Sequence, residues 1–440
     1  MHHNRRSPVP IKTLARLCIA TMIVGLALSL EPTRPGHAAT FTPKLAPLDA
    51  HGGPTFTHAL RPASPAIDAG NPATPGGGGS NTCEATDQRG LARTVDGNGD
   101  DVARCDIGAY ELTDTLVVDR TDDFAPASFC TAIANDCSLR GAIQAANGNP
   151  ADDIILLPPG VYTLTIPGDD ENLALTGDLD INSSLALTSA GAVTINGNSL
   201  VTGDRVFHVT GDYTVTFSNV TIRGGNGTGG GLYNYFGRLT LINTTLVSNT
   251  SIGGGGGIYN SGSLTITNST LSGNTATTGG GLYAYAAAVT LNNVTVVSNT
   301  VTSGDGGGIQ RFAGAVTLLN TLLAGNTDLG GQAPDCSGLL TSLGHNLIGN
   351  LTGCAFASTT GDQVGAGANP LDPGLGPLQD NGGFTPTHAL QLGGPAIDAG
   401  DNATCAVTDQ RGVTRPFGPA CDIGAFELDV YALYLPLVRR

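Results

Sequence analysis

The sequence has no tryptophan and two methionines among its 440 residues, and charged side chains make up 13% of it. Lysine occurs only at Lys12 and Lys44, and the arginines are scattered. Such material offers no basic face for nucleic acid or anionic lipid, which makes both poor partners, and no nucleic acid is expected. No CxxC pair occurs, and most cysteines have no histidine within a few residues, which argues against a zinc site. The glycine triplets are never followed by lysine, so a phosphate loop is excluded as well. Beyond residue 30 no apolar run is long enough to span a membrane.

Glycine, in contrast, is abundant, at 64 residues, and the apolar share of 40% is rich in Val, Leu and Ile. That combination predicts turn-dense β structure with a sizeable core. At the N-terminus Arg5, Arg6, Lys12 and Arg16 precede the apolar run "LCIATMIVGLALSL" (17–30), and Gly36 and Ala38 follow at cleavage spacing. The expectation is a signal peptide over 1–38 and an exported chain, with an uncleaved signal anchor as the alternative. Its removal takes five basic groups and one acidic group from 20 and 36, leaving 15 against 35 and a net charge of −20.

Cys18 would leave with that segment. The remaining eight cysteines fall into couples along the chain, Cys83 with Cys105, Cys130 with Cys137, Cys336 with Cys354 and Cys405 with Cys421. An even count in an exported chain predicts four local disulfides.

The centre of the chain repeats. "GGGLYNYFGRLTLINTTLVSNT" from Gly229 recurs as "GGGIYNSGSLTITNSTLSGNT" from Gly255, "GGGLYAYAAAVTLNNVTVVSNT" from Gly279 and "GGGIQRFAGAVTLLNTLLAGNT" from Gly306. Each copy holds short alternating apolar runs broken by glycine or asparagine, which predicts three strands and three turns per coil of a parallel β-helix. A single coil buries nothing, so the copies must stack. Two asparagine sets recur, one at Asn219, Asn243, Asn268, Asn293 and Asn320 and a second at Asn249, Asn274, Asn299 and Asn326. Both are expected at corners, where asparagine tolerates the left-handed conformation and amides hydrogen-bond from coil to coil.

Ahead of the repeats, Ser138 is positioned to cap a short helix with the apolar face Leu139, Ala142, Ile143 and Ala146, covering the open first coil. The flanks carry a duplication. "LAPLDAHGGPTFTHALRPASPAIDAG" (45–70) matches "LGPLQDNGGFTPTHALQLGGPAIDAG" (375–400), and both continue through "TDQRG" to "CDIGAYEL" or "CDIGAFEL". The boundaries expected are a module over 41–112, the β-helix over 115–380, a second module over 381–428 capping the last coils, and a short tail, a possible sorting signal, over 429–440.

"CSLRGAIQAAN" resembles the CSLREA domain of secreted bacterial β-helix proteins, with Gly141 in place of that glutamate. "LSGN" with "GGGLY" is similar to the repeats of the polymorphic outer membrane proteins, and the duplicated flank resembles choice-of-anchor domains. The resemblance implies a right-handed, pectin-lyase-like parallel β-helix, exported and surface-associated. It implies no reaction, since that scaffold hosts lyases, hydrolases and adhesins. Only 12 residues follow Leu428, so a translocating barrel is not expected.

Catalysis on the coils would need converging carboxylates or a basic residue beside calcium. Between Tyr213 and Asn326 the only charged residues are Arg223, Arg238, Asp305 and Arg311, so no catalytic site is read there. "DGNGDD" offers Asp96, Asn98 and Asp100 as a calcium loop, against a plain solvated turn, since Ile107 stands where a bidentate acid belongs. His58 and His388, Asp68 and Asp398, and Arg89 and Arg411 read as internal bonding residues of the duplicated module, and His208 and His345 as single structural histidines. If the first tyrosine of each coil points inward, Tyr235 and Tyr285 form an exposed sugar-stacking strip.

The composite expectation is an all-β, exported, monomeric protein with a structural, adhesive or glycan-binding role, meeting polysaccharide or cell-envelope components. The alternative is a carbohydrate-active enzyme on the same scaffold, and a third reading is a module left by a truncated array.

Overall fold

The computed structural model describes residues 115–429 apart from 125–129, 131–134, 149–152, 169–170 and 287, together with parts of 45–111. The segment 1–38 expected to be a signal peptide, Asp96, Asn98 and Asp100 of the expected calcium loop, Arg89, and the residues from 430 lie outside the described residues.

The coils stack in parallel and in register. Leu232, Ile258, Leu282 and Ile309 are direct partners on successive strands, as the glycine triplets require. A second run pairs Leu239, Leu264, Val289 and Val316, and a third pairs Leu246, Leu271, Val296 and Leu323. All twelve side chains point inward and are 2% exposed or less. Stacked aliphatic columns of this kind bury the face that a lone coil would leave in water. About seven turns form this parallel β-helix, with strands spaced about 4.8 Å apart along the axis.

The glycine triplet is a steric requirement of the stacking. Gly255 has φ 69°, a left-handed conformation that glycine adopts without penalty. A Cβ at Gly256 would lie 2.5 Å from the Gly280 carbonyl oxygen and 2.6 Å from that of Thr275. Backbone of the next coil therefore occupies the space of any side chain.

The inner asparagine set forms a buried ladder. The amides of Asn249, Asn274 and Asn299 donate to the Oδ1 of Asn274, Asn299 and Asn326 at 3.0, 2.9 and 3.0 Å. Each of those Oδ1 atoms also accepts the backbone N–H of the preceding asparagine. The ladder ends on Asp335, whose Oδ1 accepts from Asn326 at 2.9 Å.

The corner set behaves differently. Asn219, Asn243, Asn268, Asn293 and Asn320 all have positive φ, between 46° and 60°. Asn243 still donates to Asn219 at 3.1 Å, but Asn268 donates to the Thr408 carbonyl and Asn293 accepts from the Ala406 N–H. The duplicated C-terminal module thus does more than follow the last coil. It runs back along the flank, where Gln410 bonds Thr245 and Thr270, His388 meets Ser272, and the Ala425 N–H donates to Thr295. The cap expected over the end of the stack is therefore seated lengthwise on its side.

At the other end, helix α1 (Leu139–Gly148) is capped by Ser138 Oγ, which accepts the Gly141 N–H at 2.9 Å. Leu139, Ala142, Ile143 and Ala146 are buried as the spacing predicts, and so is Arg140, paired with Asp123 at 2.6 Å. The four expected disulfides form: Cys83–Cys105, Cys130–Cys137, Cys336–Cys354 and Cys405–Cys421.

Candidate functional site

One sheet of the solenoid carries an outward column that is polar and aromatic throughout. Pairing in register places Asp180, His208, Tyr233, Tyr259, Tyr283, Gln310 and Ser337 on successive strands. Because Leu232, Ile258 and Leu282 fill the interior, the first tyrosine of each coil must face outward. The inward orientation entertained from the sequence is thereby corrected.

The rings form a continuous surface. The His208 and Tyr233 rings stack at 4.9 Å, and Tyr233 to Tyr259 and Tyr259 to Tyr283 are each 5.0 Å between centroids. Tyr235 and Tyr285, the strip expected from the sequence, do lie exposed beside this column, each 42% accessible, and Tyr285 stacks on Phe312 at 5.3 Å. Glycine leaves room for the rings, since a Cβ at Gly254 would meet the rings of Tyr283 at 3.0 Å and Tyr259 at 3.3 Å. Burial and the neighbouring phenols push the Tyr259 hydroxyl up to about 12, and burial first of all raises Tyr233 and Tyr283 too. All three are therefore neutral hydrogen-bonding groups at physiological pH.

At the head of the column lies a buried ionisable cluster. His208, read from the sequence as a single structural histidine, has Nδ1 3.1 Å from Asp180 Oδ1, and its Nε2 is buried with no hydrogen bond among the described residues. Donor atoms of Asp178, Asp180 and His208 all lie within 4.8 Å of one another, close enough to share a cation. Arg205 reaches Asp178 at 3.4 Å and Asp204 at 3.3 Å and sits over the Tyr233 ring at 5.5 Å. Burial, then repulsion from Asp180 and Asp204, holds the Asp178 carboxyl well above the ordinary range, with Arg205 opposing. Asp204 is raised for the same leading reason. Three carboxylates beside one arginine and a histidine are thus poised to hold a proton or a cation.

The other expected site residues separate. His388 Nδ1 is 2.8 Å from the Gly376 carbonyl and Arg411 pairs with Asp409 at 2.8 Å, both internal to the C-terminal module. His345 Nδ1 is 2.8 Å from the Ala399 carbonyl. The cluster at Asp178, Asp180, Asp204 and His208 escaped the sequence because its members are spread over two coils that precede the glycine-triplet repeats. "GDLDI" and "DRVFHV" were the available signal.

Residues 179–327 match a family model described as a right handed beta helix region. That span holds the tyrosine column and the inner ladder, and agrees with the parallel stacking. No curated protein matches the chain. Among solved structures the chain is similar to the crystal structure of pectate lyase Pel9A, at 17% identity, with 71% of this chain and 96% of that chain covered and a TM-score of 0.37. No helix among the described residues is long and apolar enough to cross a membrane.

Proposed function

We propose that this chain is an exported glycan-binding β-helix protein that engages polysaccharide along its tyrosine column, in a structural or adhesive role at the cell surface or outside the cell. The observation that carries this reading is the outward register of Tyr233, Tyr259 and Tyr283, with Tyr235, Tyr285 and Phe312 beside them. A pyranose ring has an apolar C–H face and a hydroxyl rim, which suits a surface of phenols that pairs apolar bodies with polar tips. The rungs are rigid and repeat about every 4.8 Å, so an extended chain of rings meets successive tyrosines. The net charge of −16 disfavours nucleic acid as the stacking ligand. Four disulfides support an oxidising, extracellular destination.

The test is glycan-array binding followed by calorimetry on the best ligand. Tyr259→Ala and Tyr285→Ala should each weaken binding about five- to tenfold, about 1 kcal/mol per ring, with melting unchanged for the exposed Tyr285. Undiminished affinity in both variants sinks the proposal.

A second reading is favoured by the cluster of Asp178, Asp180, Asp204 and His208 at the head of the same column. The raised carboxyls of Asp178 and Asp204 beside a histidine suit general acid and base work on a bound polysaccharide. Incubation with neutral and acidic polysaccharides, with and without divalent cation, would reveal new reducing ends or the ultraviolet absorbance of unsaturated products if the cluster cleaves.

A further inference from the structure

The two duplicated modules fold alike and are used differently. Leu45 pairs with Leu60 and Leu48 with His58 in the first, as Leu375 pairs with Leu390 and Leu378 with His388 in the second. The Asp68 N–H bonds Asp106 at 2.7 Å, as the Asp398 N–H bonds Asp422 at 2.7 Å. Arg93 meets Glu111 and Arg415 meets Glu427 in the same place.

In the C-terminal module one surface grips the solenoid. His388 and Gln410 hold Ser272, Thr270 and Thr245, Ile423 is fully buried in a cluster with Leu322 and Leu347, and the N–H groups of Gly424 and Ala425 donate to Asn320 and Thr295. The corresponding residues of the N-terminal module are His58, Gln88, Ile107, Gly108 and Ala109, and all five are exposed. They line one groove of about 320 Å³. Ile107 is 51% exposed where Ile423 is 0% exposed, and Leu48 at the groove's margin is 57% exposed. The small core of this module rests against Ile154, and among the described residues none outside the module lines that groove.

The seated duplicate shows what such a groove accepts: the threonine-bearing flank of a parallel β-helix. Along this flank the column covered by the C-terminal module continues in register past Thr245 to Thr221, Thr194 and Val161 of the first coils. Val161 is 58% exposed, and Arg223, two coils further on in the neighbouring column, is exposed too. We infer that the groove of the N-terminal module, around Ile107, receives the Val161 and Thr194 flank of a second copy of this chain, next to where that copy's own C-terminal module is seated. The contact joins two different surfaces, so two copies close reciprocally as an isologous dimer or further copies add head to tail in an open array. Such association departs from the monomer expected from the sequence, and the experiment below decides between them.

Sedimentation of the exported protein over a range of concentrations tests it. The parent should associate, and Ile107→Asp in the groove or Val161→Asp on the flank should each weaken association at least tenfold. Both positions are exposed, so melting should stay like the parent's; Ala109→Arg serves as a second groove variant should Ile107→Asp fail to fold. Each of the two aspartate variants keeps one intact partner surface, so an equimolar mixture should restore dimers that neither forms alone. A parent that stays monomeric, a groove variant that associates like the parent, or a mixture that stays monomeric would overturn the inference. Association lost on adding glycan, yet unaffected by Ile107→Asp, would place the contact on the tyrosine column and overturn it as well.

Discussion

Asn274 and Asn293 belong to columns that recur with the same repeat, and their side chains serve different partners. Asn274 is fully buried, gives its amide to Asn299 and to the Leu246 carbonyl, and receives two donors from Asn249. Asn293 has φ 53° and takes the Ala406 N–H of the C-terminal module at 3.0 Å. One column ties coil to coil, while the other turns the chain and offers its amide to whatever lies on the flank. A residue type suited to tight turns can do either, and the neighbour decides which. In the inner column the neighbour is the same asparagine one coil on, so the pattern propagates until an acid, Asp335, ends it.

The change that should disturb both columns most is at the glycine that sets how closely coils approach. Gly256→Val places a branched side chain where two backbone carbonyls already lie within 2.6 Å. The expected outcome is loss of soluble protein, scored by yield and by the absence of a cooperative melt. A variant that melts like the parent would remove the steric account of the triplet.

Separating the columns takes smaller changes. Asn274→Ala strips a buried amide from both neighbours and should cost about 3–5 kcal/mol of global stability, through unsatisfied buried groups on either side. Asn293→Ala loses an acceptor for one N–H and puts alanine at positive φ, for about 1–3 kcal/mol. The difference in place matters more than that in size. Amide hydrogen exchange in the Asn293 variant should accelerate over 401–428 before it does in the coils, whereas in the Asn274 variant the coils should open together.

Much of this was legible beforehand, because a repeat announces its own register. The spacing of Leu232, Ile258, Leu282 and Ile309 fixed which residues pair, and the cysteine couples and the Ser138 cap followed from local rules. What the sequence concealed was everything that depends on a neighbour far along the chain. His208 meets an aspartate 28 residues away, in a coil with no glycine triplet to mark its register. The seating of Gln410 on Thr245 spans 165 residues, and no local pattern encodes it. The exposed Ile107 likewise resembles any buried core residue until its duplicate, Ile423, is seen against a flank.

The end of the inner ladder gives an effect confined to a narrow pH window and the sharpest contrast with the corner column. Asp335 accepts from Asn326 and, through Oδ2, from the Asn350 N–H at 2.7 Å, and burial pushes its carboxyl up to about 6 from an ordinary 3.8. Since the folded chain holds this proton more tightly than the unfolded one, its contribution is full below the unfolded value. That contribution is lost as pH rises from about 4 to about 6, at up to about 1.4 kcal/mol per pH unit. The parent's melting temperature should therefore fall relative to that of Asp335→Asn across this window and run parallel to it above. Asp422 in the C-terminal module is also raised by burial to about 6, so both proteins share that second titration and only their difference reports the ladder. A difference that stays flat from pH 4 to 7 would mean that Asp335 ends the asparagine column as an ordinary ionised acceptor, with its charge already offset by the two amide donors of Asn326.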